Sequence, residues 1–139
     1  MAVPLVGYVP GAWDMFHIGH LNILLRAREQ CDQLVVGVVS DDALLVAKGN
    51  LPIVPLAERI EVVNQIDVVD RVVTDYSSNK VEVWERVRFD ILFKGDDWRG
   101  TAKGDRLESD MAMVGVQVRY FPYTVHTSST LLRSLLANR

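Results

Sequence analysis

The chain has 139 residues, 49% of them hydrophobic, and 15 Lys and Arg against 18 Asp and Glu give it a formal net charge of −3. That length suits about one domain able to bury roughly two-thirds of its unfolded surface. A general nucleic-acid or membrane-surface binder needs a basic stripe, so the mild acidic balance excludes both and any anion site must be local. No amino-terminal leader pattern and no apolar run of membrane-spanning length is visible, and Cys31 is the single cysteine. These features predict a reduced, disulfide-free, cytoplasmic protein, with Cys31 as small apolar filler rather than a nucleophile.

Taken in order, Leu5-Val6-Gly7-Tyr8-Val9 reads as a strand and Pro10-Gly11 as a turn, while Ile18, Leu21, Leu24 and Leu25 form the buried stripe of a helix. Leu34 to Val39 is continuously apolar, as a strand covered on both faces should be, and Ser40-Asp41-Asp42 closes it. A polar loop follows at Ala47-Lys-Gly-Asn, then a helix from Leu56 to Ile66 approached by Pro52 and Pro55. Further strands are expected at Arg71–Val73, Ile91–Phe93 and Val116–Phe121, and further helices at Lys80–Val87, Asp105–Val114 and Ser128–Leu136. Five strands, each followed by a helix, predict an α/β chain in one domain over residues 1–139. Its architecture is a three-layer Rossmann-like fold with a five-stranded parallel sheet and helices on both faces. Ligands of such sheets bind beyond the carboxyl ends of the strands, where strand order reverses.

The segment Gly11-Ala-Trp-Asp-Met-Phe-His-Ile-Gly-His20 joins the first strand to the first helix. A helix amino end offers unpaired N–H groups and a positive dipole, so it attracts phosphate. His17 and His20, three apart, share a face and can aim two more donors at one point. Gly11 and Gly19 would let the backbone approach a ligand, and Asp14 can order the loop. Capping or surface placement is the simpler role for either histidine alone. Zinc chelation by the pair lacks further ligands, so no protein-held metal is expected.

The GxGxxG pattern is absent, and Gly95-Asp-Asp-Trp-Arg-Gly-Thr101 lacks the lysine of a phosphate-binding P-loop. That segment nevertheless leaves the fourth strand at the edge where a site belongs. The stretch Tyr123-Thr-Val-His-Thr-Ser-Ser-Thr130 opens the last helix and again places hydroxyls at a helix amino end.

His17-Ile-Gly-His20 resembles the HxGH signature of the nucleotidyltransferase superfamily. Gly95-Asp-Asp-Trp98 and the hydroxyl-rich segment, with Thr124, Ser128 and Thr130 matching, resemble its cytidylyltransferase branch, in particular the glycerol-3-phosphate cytidylyltransferases. The resemblance implies transfer of CMP from CTP to a phosphorylated alcohol, with glycerol 3-phosphate foremost, and release of pyrophosphate. It assigns catalytic roles to His17, His20 and Lys48. Nucleotide contacts fall to Pro10, Gly11, Ala12, Trp13, Asp14, Gly19, Arg59, Gly95, Thr127, Ser128, Ser129 and Thr130, and the acceptor contact to Asp96. Mg²⁺ is expected to bridge the triphosphate. A homodimer is implied, with no nucleic-acid or membrane partner.

Departures from the family pattern are specific. Tyr123 replaces an arginine, Val125 and His126 replace Glu-Gly, Asp67 stands where the glycerol-phosphate branch has arginine, and Ala12-Trp13 replace Thr-Phe. They leave open phosphoethanolamine or another polyol phosphate as acceptor, ATP as donor, and a non-catalytic nucleotide sensor.

Overall fold

The computed structural model describes residues 3–122 and 126–138. Five strands form one parallel sheet: β1 (Val6–Gly11), β2 (Gln33–Val39), β3 (Arg71–Asp75), β4 (Ile91–Gly95) and β5 (Gln117–Phe121), in the spatial order β3-β2-β1-β4-β5. The helices are α1 (Ile18–Glu29), α2 (Asp41–Lys48), α3 (Leu56–Asn64), α4 (Lys80–Arg86), α5 (Ala102–Met113) and α6 (Ser129–Ala137), with a 3-10 turn at Asp96–Trp98.

Neighbouring strand residues point to opposite faces, so each central strand feeds two cores. Val9, Val36 and Phe93 pack with Leu24, Ala27 and Val63 of α1 and α3 on one face. Tyr8, Val35 and Leu92 pack with Val83, Leu107 and Met111 of α4 and α5 on the other. This double covering explains the continuous apolar runs and yields the expected three layers.

Order along the sheet reverses between β1 and β4. Only Gly7 and Tyr8 of β1 pair with β4, at Ile91 and Leu92, whereas β1 pairs with β2 through Gly11. Pro10, which lacks an N–H, therefore sits inside β1 where the ladder to β4 has ended, rather than in the predicted turn. The carboxyl ends of the two strands separate there.

Strands β3 and β4 each run two residues past their expected ends, and helices α2 and α5 also differ from the sequence reading. Residues 41–48 form α2, so Lys48 ends a helix and is not in a loop. Ser40 caps that helix, its hydroxyl accepting from the Ala43 N–H at 3.2 Å, and Gly49 closes it with φ of 77°. Only Leu44 of the helix is buried, so no apolar period betrayed it. Helix α5 starts three residues before the expected Asp105, because Thr101 is its cap, accepting from the Gly104 N–H at 3.0 Å.

Candidate active site

The loop from β1 to α1 turns sharply at Trp13 and Met15, whose φ values of 57° and 52° lie in the left-handed region that side chains disfavour. Burial holds Trp13 there: its indole is 4% exposed and donates from Nε1 to the Gly37 carbonyl at 2.9 Å. A Cβ on Gly11 would stand 2.9 Å from that indole. Gly11 thus makes room for Trp13 as well as lining the cavity described below.

Asp14 is 1% exposed and pins the loop from three sides. Its carboxylate accepts from the N–H groups of Ile53 and Val54, each at 2.8 Å, and from Arg133 Nη2 at 2.5 Å. Burial alone would raise its pKa, but the two backbone donors and the Arg133 guanidinium outweigh it and hold the carboxyl below its ordinary value.

His17 and His20 form a reciprocal cap at the start of α1. The Nδ1 of His17 accepts from the Gly19 N–H at 3.0 Å, and the His17 N–H donates to the Nδ1 of His20 at 3.2 Å. Each Nδ1 is therefore occupied as an acceptor, and a neutral ring must carry its proton on Nε2. The rings stack with centroids 3.9 Å apart. Burial, then the adjoining His17 and Lys48, drives the His20 pKa down to about 3, and burial also lowers that of His17. Burial thus disfavours the imidazolium form of both rings in the ligand-free protein.

A cavity of about 360 Å³ opens between the ends of β1 and β4 and the starts of α1 and α6. It is lined by Pro10, Gly11, Ala12, Trp13, Asp14, His17, Gly19, His20, Lys48, Gly95, Ser128, Ser129 and Thr130, so the structure brings these sequence-selected residues together. Ser128 caps α6, its hydroxyl accepting from the Leu131 N–H at 3.0 Å. The Ser129 hydroxyl donates to the Asp14 carbonyl at 2.7 Å and lies 3.3 Å from His17 Nε2, tying α6 to α1. Lys48 is exposed as a residue, yet desolvation at the cavity and the charges of Arg133 and Lys103 hold its pKa below the ordinary lysine value.

Three selected residues lie elsewhere. Arg59, expected to contact the nucleotide, is 1% exposed and engaged inside the protein. Its guanidinium donates to the carbonyls of Val54, Ala12 and Val39 at 2.8, 2.7 and 2.8 Å and to Asp41 at 2.6 Å. Four of its five N–H donors are thus engaged, its side chain is fully buried, and it clamps the loop after β1 from behind, outside the lining of the cavity. Asp96 is exposed and outside the cavity, whereas Asp97 lines it. A 3-10 turn rotates successive side chains by about a third of a revolution, so only one of the adjacent aspartates faces inward. Thr127 precedes the α6 cap and lies outside the lining. Tyr123, Thr124 and Val125 fall outside the described residues.

Sequence reasoning missed Arg133, Lys94, Asp97 and Trp98, all in the lining. Arg133 was findable, since it lies four residues after Ser129 on the same face of α6. Its Nε is buried without a partner among the described residues, a donor left for a ligand. Lys94 offered no signal beyond its place at the end of an apolar strand. A second, larger cavity of about 1090 Å³ shares Lys48 and Trp98 with the first. Asp41, Asp42, Tyr76 and Ser77 line it, and Lys103 and Arg106 of α5 do so as well.

The five-stranded parallel sheet with its cavity at the switch point defines a Rossmann-like α/β protein. The family model described as cytidylyltransferase-like matches residues 8–135, and the chain belongs to that family. It is 39% identical over 99 residues to the ethanolamine-phosphate cytidylyltransferase of Arabidopsis thaliana, an alignment covering 68% of this chain and 23% of that protein. It is 35% identical over 94 residues to the bifunctional protein HldE of Acidiphilium cryptum, covering 67% of this chain and 19% of that one. The chain thus spans about a quarter or less of these relatives. Among solved structures, the lipopolysaccharide core biosynthesis protein of Thermoplasma volcanium superposes with a TM-score of 0.74 at 23% identity, covering 90% of this chain and all of that one. That likeness establishes the shared fold.

Proposed function

We propose that the protein is a cytidylyltransferase that transfers CMP from CTP to a small phosphorylated alcohol with release of pyrophosphate. The observation that carries this reading is the pair of imidazoles at the α1 amino end, with both Nδ1 atoms used by the backbone. The Nε2 protons of His17 and His20 are the donors proposed to meet the α- and β-phosphates. Lys48 and Arg133 add positive charge, and Ser128 to Thr130 bring hydroxyls and free N–H groups of α6 to the outer phosphates. An acceptor phosphate oxygen attacks the α-phosphorus in line, so the chain needs no nucleophile; its task is positioning and charge compensation.

Mg²⁺ fits the lining as a cation carried by the substrate. Of the two lining carboxylates, Asp14 is already committed to Ile53, Val54 and Arg133, which leaves Asp97. A hard cation of this kind keeps most of its waters and would bind chiefly through the substrate phosphates. Asp97 would help hold the ion, which would supply neutralisation of phosphate charge.

Likeness to an ethanolamine-phosphate cytidylyltransferase supports phosphoethanolamine as an acceptor to be tried beside glycerol 3-phosphate. No helix of the described residues is long and apolar enough to cross a membrane. We place the protein in the cytoplasm, where Cys31 stays a free thiol, and expect a homodimer, to be checked by light scattering. The function is tested by pyrophosphate release with CTP or ATP against a panel of phosphorylated alcohols. Release with CTP and one of them is expected. Release with ATP alone, or CTP binding without turnover with any acceptor, would refute it.

A further inference from the structure

Two lysines of this fold turn inward near the carboxyl edge of the sheet, and they are treated differently. Lys80 at the start of α4 is 7% exposed and fully neutralised: its Nζ lies 3.0 Å from the Asp75 carboxylate and donates to the Ser77 carbonyl at 2.8 Å. Lys94, near the end of β4, is half-buried in the lining of the smaller cavity. Its Nζ has no hydrogen-bond or ion-pair partner among the described residues and rests 4.0 Å above the ring of Trp98. An ammonium drawn from water without a counter-ion is costly, so a structural lysine would be paired as Lys80 is.

Trp98 is a firm platform. Its carbonyl accepts from the Thr101 hydroxyl at 2.7 Å, and α5 approaches so closely that a Cβ on Gly104 would come within 1.9 Å of that oxygen. Trp98 lines both cavities, as does Lys48, so the Lys94 ammonium stands by their shared boundary. If CTP occupies the smaller cavity and the acceptor enters from the larger, the reacting phosphates meet at this boundary.

We propose that Lys94 is a catalytic residue of this site, its ammonium, steadied on the face of Trp98, contacting a phosphate oxygen of the reactants. The inference rests on the cytidylyl-transfer reading. In that step an acceptor phosphate oxygen bonds to the α-phosphorus while the bond from that phosphorus to the bridging oxygen breaks, the electron pair leaving with pyrophosphate. Lys94 keeps its proton throughout and offsets anionic charge.

The charged groups acting on Lys94 are Lys80 of α4, Asp97 of the 3-10 turn, Lys48 of α2 and Asp75 of β3. Burial, reinforced by Lys80, pushes the Lys94 pKa down to about 8. A phosphate contact made by the ammonium is therefore present at neutral pH and lost as pH rises through that value, unless the bound anion raises it.

The test is calorimetric titration of the whole chain with CTP and, separately, with phosphoethanolamine. Wild type is compared with Lys94→Met, which keeps an apolar stem on Trp98, and with Lys94→Arg, which keeps the charge. Lys94→Met should weaken one of the two ligands by roughly tenfold or more, the scale of one charge-assisted hydrogen bond, while Lys94→Arg retains most of the affinity. Loss of CTP affinity assigns the contact to the nucleotide, and loss of phosphoethanolamine affinity assigns it to the acceptor. Wild-type affinity for that ligand should also decline with alkaline pH, and the decline should be shallower in Lys94→Met, where Lys48 still titrates. Lys94→Gln replaces Lys94→Met should the latter melt early. Binding of both ligands unchanged in the neutral variant overturns the proposal, as does failure of wild type to bind either. Failure of the cytidylyl-transfer reading would show separately, as wild-type binding without pyrophosphate release.

Discussion

His17 does two jobs that a pair of substitutions separates. Its Nδ1 caps α1 by accepting from the Gly19 N–H, and its Nε2 proton, which faces the Ser129 hydroxyl at 3.3 Å, is the donor proposed for a phosphate. His17→Ala removes both. Losing a helix cap costs about 1 kcal/mol. Losing one preorganised donor to transition-state charge costs roughly a hundredfold to a thousandfold in kcat, or about 3 to 4 kcal/mol. His17→Asn supplies a side-chain oxygen that is among the best helix caps, but cannot place a donor where Nε2 stands. The alanine variant should therefore lose both stability and turnover, whereas the asparagine variant should unfold within about 0.5 kcal/mol of wild type and still lose about a hundredfold in kcat. Urea unfolding measures the first quantity, and pyrophosphate release with CTP and the accepted alcohol phosphate the second. A His17→Asn enzyme with wild-type kcat would refute the donor role outright.

Asp14→Ala strands two backbone N–H groups and the Arg133 guanidinium, so a loss of about 3 kcal/mol in urea unfolding is expected. A loss below about 1 kcal/mol would mean the loop is held by something else. A Cβ at position 37 would stand 1.8 Å from the Tyr8 hydroxyl, which donates to Asp75 at 2.6 Å, so Gly37→Ala should cost about 2 kcal/mol or more. Combined with Tyr8→Phe, it should cost less than the sum of the two, and strict additivity in that double-mutant cycle would argue against the clash. His20 is held neutral by the fold, with its pKa lowered to about 3 from an ordinary 6.5. The unfolded chain then binds the extra proton between those values, so the stability His20 confers is complete above 6.5 and drains away as pH falls towards 3. Urea midpoints across that window should drop less steeply in His20→Gln than in wild type, and identical slopes would contradict the assignment.

Much of the fold was legible because apolar spacing reports burial directly. The runs at Leu34–Val39 and Ile91–Phe93 mark strands covered twice. The apolar spacing from Ile18 to Leu25 marked the helix but not its buried stripe: of the four residues expected to be buried only Leu24 is, Leu21 is half-buried, Ile18 and Leu25 are 50% and 42% exposed, and Ala27 completes the inward face. Helix α2 escaped because it buries Leu44 alone, although its cap at Ser40 and the acids after it were in plain view. In the site, the imidazole pair was readable as a local pattern, since three residues of helix bring two side chains to one face whatever surrounds them. The fates of Arg59, Asp96 and Lys94 were not local. Arg59 is turned inward by carbonyls 5, 20 and 47 residues away. Of two adjacent aspartates in a 3-10 turn Asp97 lines the cavity and Asp96 does not, and Lys80 is paired with the Asp75 carboxylate whereas Lys94 rests on the Trp98 ring.

The order of amino acids alone thus settles where chain segments become strands or helices, and which helix start carries two imidazoles, because neighbours a few residues apart suffice for that. Which cations remain free for a ligand is decided by the folded chain, because a charge is neutralised by whatever group tertiary packing brings within about 3 Å, and sequence distance says nothing of that.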